Sequence, residues 1–149
     1  ALATLPDDAP TLILLREALE GKACESVFCG RKIIGGNLSV LYGLQGTPYS
    51  LNAIIDNCVE PPVLLIEDIC ERHYHIDRMM NNLRLSGVLS RLSGVIVGQF
   101  TDCDDDPKMG CTLRETLQYY LDQYDYPVVW DAPYGHEEDN RPIMFSLNV

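Results

Sequence analysis

Two apolar segments of this sequence are each followed by side chains that could take part in proton transfer. Val63 to Ile66 is followed directly by Glu67 and Asp68, and Pro127 to Trp130 leads into a loop that contains His136. A histidine can move a proton near neutral pH, and a carboxylate can hold that histidine in one tautomer. These are two of the three parts of a nucleophile–base–orienter triad. The pattern predicts part of an active site, and ordinary solvated side chains are the alternative interpretation.

The serines of the chain do not supply the missing nucleophile. They stand at positions 26, 39, 50, 86, 90, 93 and 146. None of them lies in a Gly-x-Ser-x-Gly motif or at a sharp strand-to-helix turn of the kind that exposes a catalytic serine. If Glu67 and His136 serve a nucleophile, we expect it to come from outside this segment. The chain begins at Ala1 without an initiator methionine, and we expect both of its ends to be truncated.

Two other clusters resemble metal sites but fit them poorly. His73 and His75 lie close to Glu71, yet side chains two residues apart face different directions at the start of a helix. We interpret them as surface histidines rather than as metal ligands. The acidic run Asp102 to Asp106 lacks the glycine and the glutamate that a calcium-binding loop requires, which indicates a solvated loop. The sequence therefore predicts no metal and no other cofactor.

Size and composition exclude several classes of function. A chain of 149 residues that is 46% hydrophobic can form one globular domain with its own core. Its net charge of -11 argues against a nucleic-acid partner. The longest apolar run, Pro61 to Ile66, is too short to cross a membrane, and we expect no signal peptide. The six cysteines include no C-x-x-C pair, which favours a reducing, cytoplasmic compartment over a disulfide framework.

Apolar periodicity in the second half of the chain predicts the elements that must position Glu67 and His136. Strands are predicted at Val63 to Ile66, Gly94 to Phe100 and Pro127 to Trp130, and helices at Ile76 to Leu83 and Thr112 to Tyr124. The alternation of strands and helices indicates right-handed crossovers and a parallel sheet. In such sheets, functional groups gather where the strands end, so Glu67 and the loop of His136 should share one edge.

The first half of the chain is less regular, and we expect additional antiparallel strands there. The predicted fold class is therefore α/β, with a mixed, partly parallel sheet flanked by helices. Residues 1–10 are predicted to be a linker and Asn37 to be the N-cap of a helix through Tyr42. The remaining predictions are a helix at Thr11 to Glu20, a loop at Gly30 to Gly36, and short strands at Val27 to Phe28 and Ala53 to Ile55.

Six motifs that occur in order resemble those of one protein family. They are Ile34 to Ser39, Leu44 to Pro48, Leu65 to Asp68, Tyr74 to Arg78, Gly98 to Asp102 and Pro133 to His136. Together they resemble the C-terminal domain of the L,D-carboxypeptidase and microcin-immunity serine peptidases, over roughly residues 20–145. Any one of these motifs alone would be weak evidence, whereas six in register are strong evidence.

The resemblance implies a fold and a division of labour. Members of this family have an N-terminal domain with the nucleophilic serine and most of the oxyanion hole. Their C-terminal domain, a swivelling β/β/α fold, supplies the glutamate and the histidine of a Ser–Glu–His triad. Matched by motif, these residues are Glu67 and His136, and the serine matches nothing here. Residues 1–20 would be a linker and N-terminal helix, and residues 21–149 the C-terminal-like domain, with the N-terminal domain absent. Glu137 and Glu138 follow the histidine where the family often has Gly or Thr.

The function that the resemblance implies is removal of D-alanine from peptidoglycan tetrapeptides by a cytoplasmic serine carboxypeptidase. This chain would be its C-terminal part, inactive alone. The expected partners are a peptide or muropeptide substrate, the missing N-terminal domain and a second copy in a homodimer, but no nucleic acid or membrane. One alternative is a microcin-immunity-type peptidase. Another is a complete, non-catalytic binding module with its Gly-rich turn and tyrosines as the recognition surface. The reading frame upstream of Ala1 would discriminate between enzyme and module.

Overall fold

Four parallel strands form a sheet in the part of the chain that the structure describes. The structure is a computed structural model that describes residues 10–19, 28, 30–143 and 145. The strands are β1 (Ile33–Asn37), β2 (Val63–Ile69), β3 (Gly94–Thr101) and β4 (Val128–Val129), in the spatial order β1-β2-β3-β4. The helices are α1 (Pro10–Leu19), α2 (Leu38–Gly43), α3 (Leu51–Asp56), α4 (His73–Leu85) and α5 (Leu113–Leu121). Short 3-10 turns lie at Leu89–Arg91 and Pro107–Met109.

The central strand β2 is buried on both of its faces. On one face, Leu64 and Ile66 pack into a cluster with apolar side chains of α2, α3, α4 and α5. On the other face, Val63 and Leu65 pack into a smaller cluster that contains Ala132. A strand covered on both sides is apolar without alternation, which is why its sequence reads as a continuous apolar run. No helix in the described residues is both long and apolar enough to cross a membrane.

The α/β class and the elements predicted for the second half are confirmed. Strands begin at Val63 and Gly94 as predicted, and α4 ends at Leu85, just before Ser86. Thr112 and Glu115 form the predicted capping box at the start of α5. Strand β2 continues to Ile69, beyond its predicted end, so Glu67 belongs to the end of the strand rather than to the loop after it.

Several predictions for the first half are wrong. The predicted loop at Gly30 to Gly36 contains most of strand β1, which pairs in parallel with β2. The predicted strand at Ala53 to Ile55 is part of helix α3, capped by the Ser50 side chain. Among the described residues every strand pair is parallel, so the expected antiparallel strands are not found there. Residues 1–9 of the predicted linker, and Val27 of the predicted strand, lie outside the described residues. Pro10, the last residue of the predicted linker, begins α1, and Phe28 lies in a turn rather than in a strand.

The N-cap prediction for α2 is confirmed. The Asn37 side chain accepts a hydrogen bond from the backbone N–H of Val40 at 3.1 Å. Asn37 is also the last residue of β1 and is paired with Glu67 of β2. The strand therefore passes into the helix without a loop, at the edge of the sheet where β2 carries its acidic residues.

We predict that Gly35→Ala destabilises the fold more than Gly36→Ala does. Both glycines have left-handed backbone angles, with φ of +125° and +136°, which strain a residue with a side chain by about 1–3 kcal/mol. A Cβ at Gly35 would also overlap the carbonyl oxygen of Leu65, whereas one at Gly36 meets nothing within 4 Å. Because of this overlap, we expect the free energy of unfolding to fall by about 1–3 kcal/mol more for Gly35→Ala. Urea denaturation would measure both variants, and equal losses would contradict the prediction.

Candidate functional site

Glu67 is a buried carboxylate at the carboxyl end of strand β2. The residue is 8% exposed, and it follows the fully buried Ile66 in the centre of the sheet. Its position is a consequence of the sheet, because the carboxyl ends of parallel strands lie at the same edge. The buried apolar residues of β2 therefore fix the Glu67 backbone, and its carboxylate lies at the carboxyl edge of the sheet.

His136 lies in the loop that follows strand β4. The loop is attached to β3 by backbone hydrogen bonds: the N–H of Ala132 donates to the carbonyl of Val97 at 3.0 Å, and the N–H of Gln99 donates to the carbonyl of Tyr134 at 2.8 Å. The loop thus continues along β3 after β4 has ended, toward the edge where Glu67 lies.

The two side chains meet at this edge. The distance between Nδ1 of His136 and Oε2 of Glu67 is 2.9 Å. A carboxylate can only accept a hydrogen bond, so Nδ1 of the neutral ring carries the proton and Nε2 carries the lone pair. Nε2 has no hydrogen-bond partner among the described residues. The His136 side chain is 44% exposed and that of Glu67 10%, so the pair has a buried acid and an accessible base.

This geometry suits proton transfer to and from an external group. The contact fixes the ring orientation, and the carboxylate stabilises the positive charge that forms when Nε2 takes up a proton. Glu137, which follows the histidine, does not share this contact. Its carboxylate accepts a hydrogen bond from the Thr101 hydroxyl at 2.9 Å. Glu138 is exposed.

Asp68, the second acid of the predicted site, does not contact His136. Its carboxylate accepts hydrogen bonds from the Asn37 side chain at 2.9 Å, the Ser39 N–H at 3.0 Å and the Ser39 hydroxyl at 2.7 Å. Asp68 is 2% exposed, and it ties the β1–α2 junction to β2. Sequence reasoning missed this network, although Asn37 and Ser39 lie in the Gly-rich motif that it singled out. The donors of this motif, the Asn37 amide and the Ser39 N–H and hydroxyl, all bind the carboxylate of Asp68.

The interpretation of His73 as a surface histidine is wrong. The residue is 1% exposed. Its Nε2 lies 2.7 Å from the hydroxyl of Thr116, and its Nδ1 accepts a hydrogen bond from the N–H of Asp106 at 3.2 Å. Since Nδ1 accepts, the proton is on Nε2, which donates to Thr116. His73 therefore joins α4 to α5 and to the acidic loop, so that loop is partly organised by the histidine rather than merely solvated.

His75 forms a second Glu–His contact, with Nδ1 2.6 Å from Oε1 of Glu71. Burial alone would raise the pKa of Glu71, but hydrogen bonds from the Arg72 N–H, His75 and Ser39 outweigh it, so the pKa lies below its ordinary value. His73 and His75 thus bind different partners. The described residues contain no group of three or more His, Cys, Asp or Glu side chains arranged to hold a metal ion.

None of the serines in the described part of the chain hydrogen-bonds His136. Ser39 contacts Asp68, Ser50 caps α3, and the hydroxyls of Ser86 and Ser90 donate to nearby backbone carbonyls. The Ser93 hydroxyl is buried and lacks a hydrogen-bond partner. None of these described hydroxyls is therefore placed to give its proton to Nε2 of His136.

Proteins with similar sequences and structures are peptidases by name or immunity proteins. A Bacillus subtilis protein named probable murein peptide carboxypeptidase is 32% identical over 123 residues, which are 82% of this chain and 35% of that protein. The Escherichia coli microcin C7 self-immunity protein MccF is 26% identical over 122 residues, 79% of this chain and 33% of MccF. The crystal structure of a muramoyltetrapeptide carboxypeptidase from Oxalobacter formigenes matches with a TM-score of 0.62 at 28% identity, covering 74% of this chain and 36% of that one. This chain spans about a third of the length of these relatives.

A family profile confirms the resemblance seen in the six motifs. The profile of the LD-carboxypeptidase C-terminal domain matches residues 31–149. This range contains the whole parallel sheet, helices α2 to α5, and both Glu67 and His136. The chain belongs to the LD-carboxypeptidase C-terminal domain family.

Proposed function

We propose that this chain is the C-terminal part of a serine carboxypeptidase in which Glu67 and His136 belong to a Ser–Glu–His triad. The proposed reaction is removal of the terminal D-alanine from a peptidoglycan tetrapeptide. The observation that carries the proposal is the 2.9 Å contact between Oε2 of Glu67 and Nδ1 of His136, on a histidine whose side chain is 44% exposed. A non-catalytic binding module has no need of a buried acid that orients an exposed histidine.

His136 would act through Nε2 in both halves of the reaction. As the serine oxygen attacks the peptide carbonyl, Nε2 takes the hydroxyl proton, and the ring becomes an imidazolium. Glu67 keeps the ring oriented through Nδ1 and stabilises its positive charge. When the peptide bond breaks, Nε2 returns the proton to the amine of the departing D-alanine. Water then repeats the same proton transfers to release the shortened peptide from the serine.

The nucleophile in this proposal comes from the N-terminal domain of the same protein. None of the described serines hydrogen-bonds His136, and the chain spans about a third of the length of its relatives. The names of the Bacillus subtilis and Oxalobacter formigenes relatives, which refer to murein peptide and muramoyltetrapeptide, support the proposed substrate.

We place this activity in the cytoplasm and propose a homodimer for the complete protein. The four cysteines that lie in the described residues, Cys58, Cys70, Cys103 and Cys111, are free thiols, which is typical of a reducing compartment. The proposed N-terminal domain would cover part of the surface that this chain leaves accessible around His136.

We predict that the 149-residue chain alone releases no D-alanine from a tetrapeptide ending in D-alanine. The same chain joined to its upstream coding segment should release it, because the joined protein would contain the serine and the oxyanion hole. Chromatographic detection of free D-alanine would measure both. Turnover by the isolated chain would contradict the prediction. Release by neither protein would contradict the proposed substrate.

In the joined protein, we predict that Glu67→Gln and His136→Ala each lower kcat about 10³- to 10⁴-fold. Glu67→Gln replaces the carboxylate that holds the Nδ1 proton, and His136→Ala removes the base. The matched control is His75→Ala, which removes an exposed histidine that also contacts a glutamate, at 2.6 Å. We expect the control to stay within a few-fold of the unchanged protein. Similar losses in all three variants would show that the Glu67–His136 pair has no special role.

The alternative function is that of a microcin-immunity peptidase. It is favoured by the similarity to MccF, whose structure in complex with glutamyl sulfamoyl guanosine matches with a TM-score of 0.57 at 25% identity. Both values are below those for the muramoyltetrapeptide carboxypeptidase, at 0.62 and 28%. Offering the joined protein either the tetrapeptide or an aminoacyl sulfamoyl nucleoside would separate the two functions.

A further inference from the structure

The pairing of strand β2 with strand β3 is irregular at Glu67. From Ile66 to Asp68, strand β2 advances by two residues, whereas the facing segment of β3, Val97 to Phe100, advances by three. The single residue Glu67 therefore lies opposite both Gly98 and Gln99, which form a β-bulge. A bulge bends its strand and changes the direction of the side chains within it.

Gly98 lets the two halves of the site approach each other. A Cβ built on Gly98 would overlap the carbonyl oxygen of Tyr134 and would lie 3.2 Å from the Cβ of Glu67. The same position on β3 is thus in contact with the strand that carries Glu67 and with the loop that carries His136. A side chain at position 98 would therefore push apart the strand that carries Glu67 and the loop that carries His136.

Gln99 attaches the loop of His136 to β3. Its backbone N–H donates to the carbonyl of Tyr134 at 2.8 Å, and its side-chain Nε2 donates to the carbonyl of Ala132 at 3.1 Å. Any residue other than proline could make the first bond, but the second requires the side-chain amide. The Ala132 carbonyl also accepts from the N–H of Tyr134 at 2.7 Å. Without the amide, it would keep a bond within the loop but lose its bond to Gln99.

We infer that Gln99 is a positioning residue for the Glu67–His136 pair and acts through the carbonyl of Ala132. Ala132 is 5% exposed and belongs to the small apolar cluster, so the amide holds the loop at a buried point shortly before His136. Loss of this bond would allow the loop to move away from β3, which would lengthen the distance from His136 to Glu67. The catalytic consequence of this role rests on the proposed function, but the positioning itself does not.

The test uses Gln99→Met, which keeps the length of the side chain and removes its amide donor. Side-chain ¹⁵N NMR of the 149-residue chain at alkaline pH distinguishes a proton on Nδ1 from one on Nε2 for each of its three histidines. We expect His136 of the unchanged chain to carry its proton on Nδ1, against Glu67. In Gln99→Met, we expect a several-fold shift toward the Nε2–H tautomer, which neutral histidine favours in water.

The matched control is Gln123→Met. Nε2 of Gln123 also donates to a backbone carbonyl, that of Tyr119 at 2.7 Å, but it does so just beyond the end of α5. His73 is the internal reporter of folding, because its Nε2–H tautomer is fixed by Thr116 and Asp106. We expect the control to leave the tautomers of both His73 and His136 unchanged.

An unchanged His136 tautomer in Gln99→Met, with the His73 signals intact, would overturn the inference. If Gln99→Met also alters His73, then Gln99→Glu decides the question, since it has nearly the same shape and presents an acceptor instead of the donor. The same shift is expected for it. In the joined protein, Gln99→Met should lower kcat about tenfold and leave KM within about twofold. An inactive joined protein would contradict the proposed function but not the inference, which the tautomer measurement decides.

Discussion

The hydrogen bond between Glu67 and His136 joins residues that are 69 positions apart. It requires that strand β2 and the loop after β4 both approach the end of strand β3 closely. Strand β3 lies between β2, which carries Glu67, and β4, which precedes the loop of His136. Parallel pairing brings the ends of all three strands to one edge of the sheet. Strand β3 nevertheless separates the strand that carries Glu67 from the strand that precedes His136. The two residues can still meet because β3 has a glycine, Gly98, at this point. The Tyr134 carbonyl and the Glu67 side chain occupy the space that a side chain at position 98 would need. The volume of one residue on the middle strand is thus a condition for the site.

Asp68 and Glu71, the other acids near this edge, bind partners other than His136. Asp68 accepts hydrogen bonds from Asn37 and Ser39, and these stabilise the junction of β1 and α2. Glu71 accepts from the N–H of Arg72 and contacts His75. The Ser39 hydroxyl also contacts Glu71 at 3.0 Å, whereas the carboxylate of Glu67 contacts His136. The acidic neighbours therefore have structural roles and do not compete for the histidine.

The parts of the fold that sequence could predict are those set by local pattern. Strand β2 is a continuous apolar run and α5 has apolar residues at helical spacing, so both were predictable. Strand β1 was not, because Gly35 and Gly36 resemble a loop and become a strand only through pairing with β2. The apolar run Ala53 to Ile55 is too short to distinguish strand from helix. The burial of His73 depends on Thr116, 43 positions away, and no local pattern reports such a contact.

The meeting of Glu67 and His136 was predictable for a different reason. Both follow apolar strands of one parallel sheet, and the topology rule for such sheets brings their ends together. The bulge at Gly98 and Gln99 could not be predicted, since it is a property of the register between two strands rather than of either sequence. The distinction matters for the chemistry. Topology brings the acid and the base to the same edge, but an error of about 1 Å can cost about a hundredfold in rate. Register, close approach and the Gln99 amide therefore set the distance between the two side chains, on which the proposed activity would depend.

The exposure of His136 bears on why the proposed triad is divided between two domains. With its side chain 44% exposed, His136 is partly hydrated, and charge–charge stabilisation is weak where water is present. Covering the ring with the surface that carries the serine would exclude this water and strengthen the interaction of Glu67 with the imidazolium. The nucleophile and the low-dielectric surroundings would then arrive together, on the same surface. In this proposal, the C-terminal domain would hold Glu67 and His136 in the correct geometry. Their contribution to the rate would depend on the N-terminal domain that covers them.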